Sequence, residues 1–459
     1  MPPSAESIVV AGGTVVSPRG SSRADVVIRD GRVAQLGQVD RAGADVVDAS
    51  GCLVLPGGID VHTHVFGAVE DDTRSALRGG TTSALAFVDA LDGETPAQAA
   101  ERTLADEVPR SAIDIAFHSV IWEPAAYRTG ALADVAGLGV GSVKLWLAYH
   151  ELGIQADDDV AFAVMQEAAT LDMVVLAHCE NGRVVEVLTN QAVARGRLGL
   201  ESLPRTRPIE LEAECIHRFL VLAELAGATP YVVHMTGREP LLEVEAARRR
   251  GLTVYGEVCP HHLLFDVADH GGPDGVRYVM TPPLRTAADR AALLDGLRGG
   301  LLDTLASDHC HYRLDRDKLP LASDFTKVPT GLPGIGARLP IGFALGGAEP
   351  LAAERLVEAA CEAPARIFGL YPRKGVIAEG SDADLVVWDP AAPCRLTPER
   401  LDDGLGWTPY DGLEIPGAIA QVFARGDRVV ADGEYGAAEH TGAYLSSGRV
   451  SRPSSLHPR

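Results

Sequence analysis

The 459-residue chain is poor in lysine. Of its 41 basic residues only four are lysines (Lys144, Lys318, Lys327 and Lys374), and arginine supplies the rest. Positive charge is scarce overall, and the formal net charge is −22. That balance excludes nucleic acid and anionic membrane surfaces as partners, because both demand clustered Lys and Arg. No stretch reaches about 18 uninterrupted apolar residues, so no membrane span is expected. The seven cysteines (Cys52, Cys179, Cys215, Cys259, Cys310, Cys361 and Cys394) are scattered without a CxxC pair. This argues against a disulfide scaffold and for a reducing compartment. Met1-Pro2-Pro3-Ser4-Ala5-Glu6 carries no basic segment before a long apolar run, so no secretory leader is expected. These absences predict a cytoplasmic globular chain, long enough for a barrel of roughly 250 residues plus an accessory domain.

The hydropathy pattern changes twice along the chain. Short alternating runs at 7–10, 14–16, Asp25–Arg29 and 32–36, punctuated by Gly12-Gly13 and Asp30-Gly31, read as strands in hairpins. The same texture returns at 380–388, 419–424 and 428–430, so both chain ends are expected to share one sheet system. Between them lie eight apolar runs: Gly58–His64, 83–88, 113–118, 142–147, 173–178, 231–234, 252–258 and 303–308. They alternate with helical patterns at 97–106, 160–171, Ile209–Ala226, 239–250 and 287–296. That alternation predicts an α/β fold with a (β/α)8 barrel. The expected divisions are 1–55 and 375–440 for the sheet parts, 56–374 for the barrel and 441–459 for an arm or tail. Residues 311–340, rich in Pro and Gly, read as a long loop over the barrel mouth.

Several runs end in a residue that can bind a metal. His62 and His64 stand at i and i+2 on one face of a strand. His178, His234 and Asp308 close the fifth, sixth and eighth runs. In a barrel the strand C-termini converge on one mouth, so four histidines and an aspartate meet there as a metal site. Lys144 interrupts the apolar Ser142-Val143-Lys144-Leu145-Trp146-Leu147. Burial lowers the pKa of such an amine. It then serves either as half of a buried Lys–Asp ion pair or, after capturing CO₂, as a bidentate carbamate bridging two divalent ions.

The chain resembles the cyclic amidohydrolases, in the dihydropyrimidinase and hydantoinase branch. The matching segments include Leu55-Pro56-Gly57-Gly58-Ile59-Asp60-Val61-His62-Thr63-His64, Ala177-His178-Cys179-Glu180-Asn181, Val233-His234-Met235-Thr236 and Ser307-Asp308-His309-Cys310. Glu257-Val258-Cys259-Pro260-His261-His262 and Thr281-Pro282-Pro283-Leu284-Arg285 match as well, and the likeness spans roughly residues 10–440. The resemblance implies a TIM-like barrel beside a β-sandwich built from both chain ends, usually in a homotetramer or homodimer. It implies two zinc-type ions bridged by N6-carboxylated Lys144, one on His62, His64 and Asp308, the other on His178 and His234. A bridging hydroxide would attack a ring amide carbonyl of a small cyclic substrate. Asp308 would carry the proton to the leaving nitrogen, and Tyr149 would steady the oxyanion. Thr281 and Thr330 would hold the ring amide.

Two positions depart from that branch. Thr330 stands where it usually carries Asn, and Phe66 where hydantoinases usually carry Asp and dihydroorotases a carboxylate-binding Arg. Phe66 argues against dihydroorotate and for a bulky or aromatic substituent, and Tyr149 argues against allantoin. A non-catalytic scaffold like the collapsin response mediator proteins is disfavoured, because those relatives have lost metal ligands. Of the other candidates, Cys179 and Cys310 are expected to pack on the opposite strand face. His261, His262, His309 and His311 are expected to be supporting or surface residues. Gly137–Gly141 precedes a strand rather than following one, which excludes a dinucleotide loop.

Overall fold

In the computed structural model, which describes residues 7–272, 274–436 and 440–447, one parallel sheet carries the centre of the molecule. Gly58–His64, Thr81–Phe87, Asp114–Val120, Ser142–Trp146, Val174–His178, Thr229–Val232 and Tyr255–Val258 pair in succession. Their interiors are apolar nearly without interruption because both faces are covered. Every residue of Thr81–Phe87 and Asp114–Val120 is buried. The eighth position is split. Thr304–Leu305 pairs with the seventh strand, and His309–Cys310 pairs with Thr63 and His64 of the first, so the sheet closes on itself as a TIM-like barrel.

The surrounding helices include two that the apolar pattern leaves out, Val69–Arg78 and Gly182–Ala194. Thr95 with Gln98, and Thr286 with Asp289, form reciprocal caps that fix the starts of Pro96–Asp106 and Ala287–Arg298. Residues 311–340 are not all loop, since a helical turn forms at Leu314–Lys318 and a helix begins at Arg338.

The chain ends meet in a seven-stranded sheet, where Leu385–Asp389 pairs antiparallel with Leu53–Pro56. A separate four-stranded sheet (Arg32–Gly37, Asp25–Arg29, Ile8–Ala11, Asp45–Asp48) packs against it through Val10, Ile28, Val54, Leu385 and Phe423. Gly20–Arg23, exposed throughout and reading Gly-Ser-Ser-Arg, has no alternation to betray it as a strand. Residues 441–447 lie along the third barrel strand. Ile115 exchanges main-chain bonds with Ala443 and Leu445, and Ser447 accepts from Gly141 N at 2.8 Å. The remainder of the expected tail, 448–459, lies outside the described residues.

Lys374 joins the two sheet systems. Its Nζ lies 2.6 Å from Asp114 of the barrel, 2.6 Å from Asp384 and 3.1 Å from Asp382, and all four residues are buried. Lys374→Met leaves buried Asp384 without a cation, while Asp114 keeps Arg425 at 3.2 Å and Asp382 keeps Arg373 at 2.8 Å, and is expected to cost about 3–5 kcal/mol in chemical denaturation.

Candidate active site

The converging strand ends bring the candidate metal-ligating side chains together at one mouth. His62 Nε2 lies 3.0 Å from Asp308 Oδ1, and His64 Nε2 lies 3.7 Å from the same oxygen. Across the mouth, His178 Nδ1 is 3.0 Å from His234 Nε2. Two ligands bound at about 2.0–2.1 Å to one ion stand about 3–3.5 Å apart, so both groups have the spacing of a shared cation. The groups adjoin, with the His62 and His234 rings 5.3 Å apart. Asp308 and His234 both hold left-handed backbones, at φ 49° and 38°. For Asp308 that conformation falls in the break of the eighth strand, and its amide is tied to His62 O at 2.9 Å.

In His62 and His178 the second ring nitrogen sets the tautomer. His62 Nδ1 donates to Glu257 at 2.6 Å and His178 Nε2 donates to Glu180 at 2.8 Å, which leaves His62 Nε2 and His178 Nδ1 facing the mouth. Glu257 also accepts from Tyr231 Oη and His234 N. Glu180 is paired with Arg207. Burial keeps His64, His178 and His234 well inclined to the neutral form that binds metals, His64 down to about 3. Burial opposes charge on His62 too, but Glu257 and Asp308 overcome it and push its pKa up to about 9. The pocket between these carboxylates therefore attracts positive charge.

Lys144 lies beneath. Its Nζ is buried, has no hydrogen-bond partner among the described residues, and sits 5.0 Å from the Phe87 ring and 5.1 Å from that of Trp146. No aspartate pairs with it at ion-pair distance among those residues. Burial lowers its pKa to about 8 against the pull of Glu257 and Asp308. An amine left without a partner in such a place is a group awaiting one.

The residues expected to face a substrate also gather. Tyr149, at φ 65°, bonds Thr281 Oγ1 through its hydroxyl at 2.5 Å, and Thr281 donates to Thr330 Oγ1 at 3.1 Å. Burial raises the Tyr149 pKa to about 12 although Arg207 lies over its ring at 5.1 Å. Lys318, buried and lowered to about 7 by desolvation, donates to Val279 O at 2.9 Å and Pro329 O at 2.7 Å. It thereby fixes the two segments that carry Thr281 and Thr330. All of these groups except Lys144 and Lys318 line, or stand behind, one cavity of about 420 Å³ that Phe66 also borders.

Cys310 corrects an expectation. It does not pack on the far face but lines the cavity, close to His64 and Asp308. Strand alternation fails across the break at Asp308, so the i+2 rule misassigns it. Cys179 does pack in the core. His309 and His311 share the buried Asp72, at 3.0 and 2.8 Å, and His311 reaches the cavity wall. His261 and His262 are buried. Glu257, Glu180 and Lys318 escape the sequence reading. Glu257 had a signal of the same kind as Lys144, a lone charge at the apolar end of the seventh strand. Glu257→Gln is expected to weaken metal binding about 10- to 100-fold in competition with a chelator.

A closed parallel barrel with two adjoining donor groups at its C-terminal mouth has the architecture of the metal-dependent hydrolases. The family model "Amidohydrolase family" matches residues 53–429. The D-hydantoinase of Streptomyces coelicolor is 36% identical over 453 residues, covering 95% of this chain and 97% of that one. That of Ralstonia pickettii is 34% identical over 449 residues, with 95% and 98% covered. The crystal structure of dihydropyrimidinase from Brevibacillus agri superposes with a TM-score of 0.92 at 33% identity, covering 97% of this chain and all of that one. The chain belongs to the amidohydrolase family, in its hydantoinase branch. Membership implies a binuclear divalent metal centre, which the donor set described above fits. No helix among the described residues is long and apolar enough to cross a membrane.

Proposed function

We propose that the protein hydrolyses the ring amide of a cyclic ureide, a dihydropyrimidine or a 5-substituted hydantoin, to an N-carbamoyl amino acid. The observation that carries this reading is the convergence of the two donor groups and the Tyr149–Thr281–Thr330 chain on one cavity, with the orphaned Lys144 amine buried against Trp146 of its wall. Zinc ions would sit on His62, His64 and Asp308 and on His178 and His234, with N6-carboxylated Lys144 between them. The carbamate replaces the unpartnered amine by an anion with two donor oxygens. Bound there, two divalent ions supply a water that is nucleophilic at neutral pH and polarise the carbonyl.

The chain's own groups do the rest. Thr281 and Thr330 orient the ring amide. Tyr149 Oη, with its proton held firmly, donates to the carbonyl oxygen as charge develops on it. Asp308 takes the proton of the attacking water and returns it to the ring nitrogen as the C–N bond breaks. Tyr149→Phe is expected to lower kcat about 100- to 1000-fold with a smaller change in KM, read by steady-state kinetics.

The relatives named as hydantoinases and a dihydropyrimidinase support the substrate class. Thr330 and Phe66 keep a second reading in play, the same chemistry on another cyclic amide or imide. A panel of dihydrouracil, hydantoin, 5-phenylhydantoin, allantoin, dihydroorotate and succinimide separates the two. Ring opening of dihydrouracil or a hydantoin is the expected outcome, and turnover of the imide alone would replace the ureide reading. The intact donor set speaks against a non-catalytic scaffold. Seven free cysteines support a cytoplasmic location, and a homotetramer is what the sequence resemblance implies.

A further inference from the structure

The cavity holds a charged group that the reading above leaves without a task. Asp89 stands two residues past the second barrel strand, exposed at the rim of the cavity that Tyr149 and Asp308 line. Its carboxylate has no hydrogen bond or ion pair among the described residues. The nearest cation is already committed. Arg102 binds Glu94 twice, at 2.8 and 3.0 Å, and spends its remaining contact on the main-chain oxygen of Asp89 at 2.7 Å.

The wall beside this carboxylate is aromatic. Trp122 and Trp146 pack with centroids 5.7 Å apart, and Tyr312 adds a third ring. Trp122 is anchored by its Nε1 donating to Val88 O at 3.3 Å, one residue from Asp89. His311, also in the cavity lining, is tied through Nδ1 to Asp72 and brings that buried carboxylate with it. An unpaired carboxylate beside ring faces attracts a cation twice, by charge and by the ring quadrupoles.

We infer that the cavity selects cyclic ureides whose exocyclic substituent ends in an ammonium or guanidinium group, with Asp89 as the specificity-determining residue. This rests on the cyclic-ureide reading of the site. With the ring held by Thr281 and Thr330, the substituent runs along Trp146 and Trp122, and its cationic end meets Asp89 at the rim.

The test compares 5-(4-aminobutyl)hydantoin with its neutral isostere 5-pentylhydantoin, using metal-loaded wild type and Asp89→Asn. Wild type is expected to favour the cationic compound about tenfold in kcat/KM, and the ratio to fall to about one in the variant. Added salt should shrink the preference in wild type only. An equal kcat/KM for the two compounds in wild type, or a preference that survives Asp89→Asn, would overturn the inference while leaving the ureide reading intact. If neither ring opens, the ureide reading fails instead. Calorimetric binding of the same two compounds to both proteins then decides the subsite, since a preference lost with Asp89 supports it and equal affinities refute it.

Discussion

Lys144→Ala is expected to abolish turnover and to weaken binding of both metal ions at least about 100-fold, because on the proposed reading its carbamate joins the two donor sets. A short carboxylic acid such as acetate or propionate should restore part of each, by supplying a bridging carboxylate in the space the side chain vacates. Loss of folding would not give this pattern. Among the described residues the buried Lys144 amine has no hydrogen-bond partner, so the unmodified side chain contributes no polar contact of its own to stability. Lys144→Met, which keeps the volume, should therefore be at least as stable as chelator-treated wild type in denaturant titration. Full activity in Lys144→Ala would contradict the bridging role.

The second large effect is expected at Asp308. Asp308→Ala should keep the fold and most of the bound metal, since His62, His64, His178 and His234 remain, while kcat falls about 10³- to 10⁴-fold. Metal content by elemental analysis and kcat on hydantoin separate the two outcomes. A variant that lost metal and activity in parallel would make Asp308 a ligand with no role in moving the proton. The ligand half of a dual role has the geometry for it, since one oxygen of Asp308 faces both His62 and His64 at 3.0 and 3.7 Å.

Much of this arrangement is legible in the sequence because two short-range rules suffice. Apolar runs of four to seven residues separated by helical patterns spell a parallel barrel, and a polar residue closing such a run lands at the mouth. His62, His64, His178, His234 and Asp308 are all found in that way, and Lys144 stands out because an ammonium in an apolar strand is costly.

What the sequence hides is decided by distant partners or by broken periodicity. The eighth strand is two short pieces around a left-handed Asp308, so alternation places Cys310 on the wrong side. Lys318 lies in a segment without periodicity, and its purpose emerges only when Val279 and Pro329 come within reach of its amine. Asp72 serves His311 across a separation of 239 residues, and His309 with it. Residues 441–447 read as a polar arm, yet they settle against Ile115 because the third and fourth strands pair only through Ser119 and Val120 and leave main-chain groups open beside them.

The most direct test of the account is the conversion of hydantoin to N-carbamoylglycine, followed by mass spectrometry in zinc-loaded protein and in the same protein stripped by a chelator. The account predicts ring opening that depends on two ions per chain, disappears on stripping and returns on reloading. Ring opening that persists undiminished in fully stripped protein would contradict it.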